Sequence, residues 1–293
     1  MGTSSIKAKS FYHILPLKYL YQMLERKKFV LRKVGTWSDK YECFLDLIYT
    51  RLKDESQVDS LKLKESFFGA SFSREKDESD AMWQIYSPYM NSVRIEVEEG
   101  TLNELCKKVA RRQLSLARKK KIAYEQQELP SDVPPKMGQC VTTQMKQISG
   151  NIEYPEETLE ENPWARLINV KYISDEEMKR ILNAAANNFL TVLSRGGLSS
   201  FALDHLKYKK RAYRHEEETR LIAYWEHEEY LEDYGKSLAL DVEPAEFIKS
   251  VIIDPRMCPR DIHNIQDKIH SYNGMEKIPV EKSTIYDSPN SVV

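Results

Sequence analysis

The feature that most constrains the fold is a succession of short strand-like runs near both ends of the chain, with long helical patterns between them. The strand-like runs cover Ser10–Leu15, Phe29–Arg32, Phe67–Ser73, Val93–Val97, Arg166–Tyr172, Glu216–Trp225 and Phe247–Ile253. The helical patterns cover Leu17–Lys27, Thr101–Gln127, Ser174–Ser194 and Asp261–Ser271. This order predicts a single α+β domain over residues 1–293, in which residues 101–165 form a helical and loop insertion.

Composition and missing motifs exclude several classes of protein. The chain has 44 Lys and Arg against 45 Asp and Glu, so any nucleic-acid contact has to come from a local basic patch. No run approaches the roughly 18 apolar residues of a membrane span, and the N-terminal sequence lacks the apolar stretch of a secretory signal. The four cysteines lie far apart, which predicts reduced thiols in a soluble, cytoplasmic protein without a zinc site. The sequence also lacks a glycine-rich phosphate loop and a Gly-x-Ser-x-Gly motif, which disfavours P-loop and serine hydrolysis.

The acidic run at the start of Glu216–Trp225 is the first candidate for chemistry. In an extended strand, alternation places Glu216, Glu218 and Arg220 on one face. It turns Glu217 to the other face. Two carboxylates and a guanidinium on one face form either a pre-oriented charge cluster or ordinary ion pairs on a solvated edge strand.

His13, Trp83 and Tyr86 are the candidates for contacting a ligand. His13 follows two aromatic residues in a strand, so it is either a core histidine bonded to a backbone carbonyl or a group that presents a ring nitrogen to a ligand hydroxyl. Trp83 and Tyr86 lie three residues apart on one helical face, and are either core aromatics or a stacking wall for a planar ring. Asp39 is either a turn-capping residue or one half of a metal pair with Glu42.

Between Lys107 and Lys121 the sequence carries eight basic residues and no acid. They are Lys107, Lys108, Arg111, Arg112, Arg118, Lys119, Lys120 and Lys121. Such a helix either tracks the phosphate backbone of RNA or DNA, with strongly salt-dependent binding, or forms a solvated face balanced by acidic surfaces elsewhere.

Five short motifs, some of which contain the residues named above, follow one another along the chain in the order of a known family. They are Phe11-Tyr12-His13 before a helix, the acidic loop Trp37–Glu42, Ser71-Phe72-Ser73, Met82–Tyr86 and Tyr213–Arg220. Over about residues 11–255 this order resembles the bacterial, prophage- and defence-associated domain-of-unknown-function 2971 family. That family shows Asn-Asp-Pro-x-Glu, Cys-Phe-Ser, Met-Trp-x-x-Tyr and Trp-x-x-Glu-x-Glu-x-Arg at the corresponding places. The chain departs from the family pattern at Ser38, Lys40, Tyr213 and Asp254, where Asn, Pro, Trp and Gly are usual.

An early His, a central Tyr and a late Glu also resemble the ADP-ribosyltransferase superfamily at the level of the fold. That resemblance implies a small split sheet that grips NAD in a cleft, with His13 on a ribose hydroxyl, Tyr86 stacked on nicotinamide and Glu218 on the nicotinamide ribose. Arg220 would either bind the pyrophosphate or restrain Glu218. We therefore expect an NAD-dependent, metal-independent transferase, acting as a toxin or antiviral effector on RNA, DNA or protein, with an inhibitory or sensor protein as a further partner.

Two alternatives stay open at this point. One is a non-enzymatic nucleic-acid-binding or sensor module that uses the basic helix, and the other is a nuclease built on Glu216, Glu218 and Asp39. The transferase hypothesis makes a geometric prediction, which is that His13, Tyr86 and Glu218 line one cleft.

Overall fold

The structure is a computed structural model that describes residues 9–37, 63–126, 164–194, 198–225, 227, 230–233 and 236–287. Its strands are β1 (Ser10–Pro16), β2 (Lys28–Lys33), β3 (Phe67–Ser73), β4 (Ser92–Glu98), β5 (Ala165–Asn169), β6 (Lys171–Ile173), β7 (Tyr208–Lys210), β8 (Glu218–Tyr224), β9 (Leu231–Glu232), β10 (Ser237–Asp241), β11 (Ser250–Ile253) and β12 (Val280–Lys282). Its helices are α1 (Leu17–Arg26), α2 (Asp80–Tyr86), α3 (Glu99–Gln126), α4 (Asp175–Ser194), α5 (Leu198–His205), α6 (Pro244–Phe247) and α7 (Pro259–His270). The predicted α+β class is therefore confirmed.

Most of the strands join one large sheet. Its strand order is β12-β11-β4-β1-β3-β2-β10-β9, while β8 lies off this path and pairs with β3 and β5. Pairing in this sheet is antiparallel except between β11 and β12. The short strands β6 and β7 make a separate parallel pair.

The large sheet divides on β3. Strand β8 pairs with β3 from Phe67 to Ser73 and so occupies one of its edges completely. On the other edge, β2 pairs with Phe68 and Gly69, whereas β1 pairs with Ser73 alone. Because β1 and β2 meet β3 at its two ends, they diverge from each other, and the end of β3 lies where the sheet splits.

Local sequence accounts for the two helices that flank this split. In α1 the apolar residues recur at helical spacing, and Leu20, Met23 and Leu24 are buried on one face. Helix α2 begins with an N-cap, since the hydroxyl of Ser79 accepts a hydrogen bond from the backbone N–H of Met82 at 3.4 Å. Capping in this way satisfies one of the free N–H groups at the helix start.

The first half of α3 is part of the main hydrophobic core. Leu102, Leu105 and Val109 are buried there, and the side-chain amide of Gln113 donates to the backbone carbonyl of Tyr224 at 2.8 Å. The beginning of the predicted insertion therefore packs on the sheet. Residues 127–163 of the insertion lie outside the described part of the chain. Among the helices that the structure describes, none is long and apolar enough to cross a membrane.

The strand predicted over Glu216–Trp225 begins two residues late. Glu216 ends a 3₁₀ turn that starts at Arg211, and Glu217 adopts a left-handed φ of 42°. Alternation therefore starts at Glu218, and Arg220 shares its face as predicted. The prediction that Glu216 lies on the strand is wrong, because the left-handed residue Glu217 interrupts the extended conformation. A run of Glu residues in a sequence gives no sign that one of them will be left-handed.

Two further strand predictions differ from the structure. Arg166–Tyr172 is divided at Val170, whose N–H turns to the carbonyl of Glu218 at 3.0 Å. Phe247 ends α6, and β11 starts only at Ser250. Pro244 at the start of α6 favours the helix there, since its fixed φ suits a first helical turn.

Candidate active site

A cleft opens at the end of β3, between β1, α2 and the start of β8. The described residues that line it include His13, Ser71, Trp83, Tyr86, Glu216 and Glu218. The space inside it, counted together with the open solvent at its mouth, is about 700 Å³. His13, Tyr86 and Glu218 come from three elements far apart in the sequence and line this one cleft, as the transferase hypothesis requires.

Two of the acids that line the cleft, Glu216 and Glu218, belong to a buried ion cluster. Arg220 binds the carboxylate of Glu218 through Nε at 2.7 Å and Nη2 at 2.9 Å. The Nζ of Lys209 donates to Glu216 at 2.7 Å and to Glu218 at 3.2 Å. None of these four side chains is more than 7% exposed. The cluster is therefore pre-oriented and dry, which rejects the solvated edge strand.

The charge of Glu218 is fixed by its neighbours. Burial alone raises the pKa of its carboxyl, but Arg220 and Lys209, together with the hydroxyl of Ser71 that donates to it at 2.5 Å, outweigh burial. The resulting pKa is lowered from 4.5 to about 2. Glu218 is therefore ionised at neutral pH although little of it reaches water.

His13 is held as a neutral imidazole. Its Nδ1 lies 2.7 Å from the backbone carbonyl of Ser71, and a carbonyl only accepts, so Nδ1 carries the proton. Burial lowers the pKa of the ring, an effect that the Ser71 carbonyl partly opposes. The Nε2 atom is then an unprotonated acceptor on a cleft-lining residue. His13 is thus bonded to a carbonyl and also lines the cleft, and contact of its Nε2 with a ligand hydroxyl stays a prediction.

The two aromatic candidates on α2 differ in exposure. Trp83 is 1% exposed although it lines the cleft, and its Nε1 donates to Glu78 at 2.9 Å. Tyr86 is 37% exposed. Burial, and then the nearby Glu216, raise the pKa of its hydroxyl, which stays protonated and hydrogen-bonds Glu216. Of the two, Tyr86 offers by far the more exposed ring, and a stacking contact by Trp83 stays a prediction.

Sequence reasoning missed three residues of the site. Ser71 joins its two halves, since its carbonyl holds His13 and its hydroxyl holds Glu218. Lys209 bridges the carboxylates, and the hydroxyl of Tyr172 accepts the backbone N–H of Glu218 at 2.8 Å. The Ser-Phe-Ser motif was a usable signal for Ser71. Lys209 and Tyr172 had none, because both reach the cluster from short strands that only tertiary pairing places there.

The other predicted site residues lie away from the cleft or outside the described part. Arg111 is exposed on α3, whereas Arg112 forms an ion pair with Asp241 and stacks on the Tyr230 ring with its guanidinium 4.4 Å from the ring centre. Outside the described part lie the side chains of Arg118, Lys119, Lys120 and Lys121, and all of Asp39. Within the residues that the structure describes, no group of three or more His, Cys, Asp or Glu side chains is arranged to hold a metal ion.

Comparison of the chain with models of protein families, with curated proteins and with solved structures gave no match.

Proposed function

We propose that the protein binds NAD in this cleft and transfers its ADP-ribose group to an acceptor, as an effector of the kind that the domain-of-unknown-function 2971 resemblance implies. The observation that carries the proposal is the meeting of His13, Tyr86 and Glu218 on one cleft where the sheet divides. Their order along the chain is that of the ADP-ribosyltransferase resemblance. The ionised state of Glu218 adds the charge that the reaction needs.

The lining favours the nicotinamide end of NAD. The described lining carries four carboxylates and the guanidinium of Arg94. Lys209 and Arg220 balance Glu216 and Glu218, which leaves the lining with one net negative charge and favours a cationic ring. The nicotinamide ring of oxidised NAD is such a cation, and the exposed face of Tyr86 can stack on it. The Nε2 of His13 can accept a hydrogen bond from a ribose hydroxyl. Each group therefore matches a different part of the ligand.

Glu218 supports the bond-breaking step by electrostatics. The bond between nicotinamide N1 and ribose C1′ breaks, and nicotinamide leaves with the electron pair. Positive charge then develops on C1′ and the ring oxygen, where a fixed carboxylate in a dry site stabilises it by several kcal/mol. The acceptor attacks C1′, a bond forms between its nucleophilic atom and C1′, and its proton passes to solvent water. A carboxylate with a pKa of about 2 is a weak general base at pH 7, so Glu218 acts on the cation rather than on that proton.

Arg220 is a positioning residue in this scheme. Its side chain is 0% exposed, and besides Glu218 its Nη1 binds the backbone carbonyl of Leu206 at 2.8 Å. The ring of Trp37 lies 5.0 Å from its guanidinium. A buried guanidinium engaged in this way holds Glu218 in place and does not reach a pyrophosphate. Of the two roles expected from the sequence, restraint of Glu218 is the one we keep.

Turnover of NAD is the test of the proposal. The purified protein is incubated with NAD labelled on the adenylate half, alone and with RNA, DNA or a protein mixture, while free nicotinamide is measured. We expect nicotinamide release, and transfer of label to one acceptor class. Intact NAD under every condition would reject the transferase and leave the binding module, which the same RNA and DNA samples test by a mobility shift.

A further inference from the structure

The turn Asp254-Pro255-Arg256 links the end of β11 to the wall of the cleft. Asp254 directly follows β11 and is fully buried. The carboxylate of Asp254 accepts three hydrogen bonds from Arg256, from the backbone N–H at 2.9 Å, from Nε at 3.0 Å and from Nη2 at 2.8 Å. Pro255 restricts the backbone between them and helps to preset this turn. The result is an arginine whose fork is fixed on one side by a buried carboxylate.

The same guanidinium also binds the last turn of α2. Its Nη2 shares its two N–H groups among three acceptors, which are the carboxylate of Asp254 and the backbone carbonyls of Trp83 at 2.9 Å and Ser87 at 2.7 Å. Nη1 donates to the side-chain oxygen of Gln84 at 2.8 Å. A cation is favourable here because the carbonyls at a helix C-terminus carry partial negative charge. The two clamped carbonyls stand on either side of Tyr86, the last residue of the helix.

We infer that Arg256 is a positioning residue that aims the ring of Tyr86 at the cleft, and that Asp254 holds Arg256 for this task. A helix of seven residues is not stable by itself, so its direction depends on what fixes its ends. Its start is fixed by Ser79, and its end by Arg256. The inference rests on the proposed function for its effect on NAD.

The experiment compares Arg256→Lys with Arg260→Ala, an exposed arginine at the start of α7. Lysine keeps the charge beside Asp254 but cannot reproduce the planar fork that reaches α2. We expect Arg256→Lys to raise the KM for NAD about tenfold with kcat nearly unchanged, as loss of ring stacking should. In a Tyr86→Ala background it should have no further effect, because both changes remove the same contact. Free guanidinium at a non-denaturing concentration should restore a low KM to Arg256→Ala.

Hydrogen exchange of the α2 amides supplies a readout that does not need NAD. Faster exchange in Arg256→Lys than in Arg260→Ala supports the clamp. Equal exchange and equal KM in these two variants would overturn it, and so would an effect on KM that adds fully to that of Tyr86→Ala. If the parent protein neither binds nor cleaves NAD while α2 still exchanges faster in Arg256→Lys, the proposed function fails but the clamp on α2 stands.

Discussion

Replacing Glu218 by Gln should slow nicotinamide release and also destabilise the protein, because one carboxylate serves both the cleft and the buried cluster. Gln is neutral, and its amide would face Arg220 and Lys209, which are both donors. Removing one partner of a buried ion pair costs about 3–5 kcal/mol. The lowering of the pKa of Glu218 from 4.5 to about 2 corresponds to about 3 kcal/mol by linkage. On a solvated edge strand, which the sequence left open as an alternative, Glu218→Gln would cost little stability. The buried ion pair with Arg220 reverses that expectation.

The pH dependence of this loss has a definite sign. The pKa of Glu218 is lower in the folded protein than its ordinary value of 4.5, so its stabilising contribution is fully present above that value. It is lost as the pH falls through the folded-state pKa of about 2. The free energy of unfolding of the parent should therefore exceed that of Glu218→Gln by a constant amount at neutral pH. The difference should shrink between pH 4.5 and about 2.

Glu217→Gln is the matched control for both measurements. Glu217 is 41% exposed and pairs with Arg74 at 2.7 Å, and exposed pairs of this kind contribute about 0–1 kcal/mol. Urea unfolding gives the stabilities, and nicotinamide release is measured at a temperature at which each variant is folded. We expect a loss of roughly a hundred- to a thousandfold in kcat for Glu218→Gln and little change for Glu217→Gln.

Two results would refute this reasoning in different ways. If Glu218→Gln is as stable as Glu217→Gln, the buried cluster does not stabilise the fold as its geometry indicates. If Glu218→Gln is folded and releases nicotinamide at the parent's rate, the carboxylate has no part in breaking the bond.

Three further predictions concern the rest of the cleft and the basic helix. Tyr86→Ala should raise the KM for NAD about tenfold, whereas Tyr89→Ala, 82% exposed three residues further on, should not; equal effects would remove the stacking role. Because burial lowers the pKa of His13 below 6.5, this residue should give no inflection in kcat/KM near pH 6.5. The unfolding free energy of the parent should fall as the pH drops below 6.5, because the folded protein resists protonation of His13. The unfolding free energy of His13→Gln should lack this fall. Reversing Lys119–Lys121 to Glu together with Arg111→Glu should weaken RNA or DNA binding and flatten its salt dependence in anisotropy titrations; a parent protein that does not bind would end the nucleic-acid hypothesis for this helix.

The elements that sequence reasoning placed well are those whose pattern is local. Phe67–Ser73 was predicted with the bounds that β3 has, because a short aromatic run between charged residues leaves little freedom. Helix α4 was predicted to within a residue, from acids in its first turn and glycines after its end. The sharing of one face by Glu218 and Arg220 also followed from alternation, which depends only on neighbours along the chain.

What only the tertiary structure decided depends on residues far apart in sequence. No local pattern brings Lys209 to Glu218, and none joins His13 to Glu218 through Ser71. The left-handed residue Glu217 is likewise set by packing, since its own side chain disfavours that backbone. Period and capping are properties of a short segment, so the sequence determined the type of those segments that have a strong local pattern, such as β3 and α4. The site depends on where β1, β3, α2 and β8 meet, and that meeting is determined by the free energy of the whole fold.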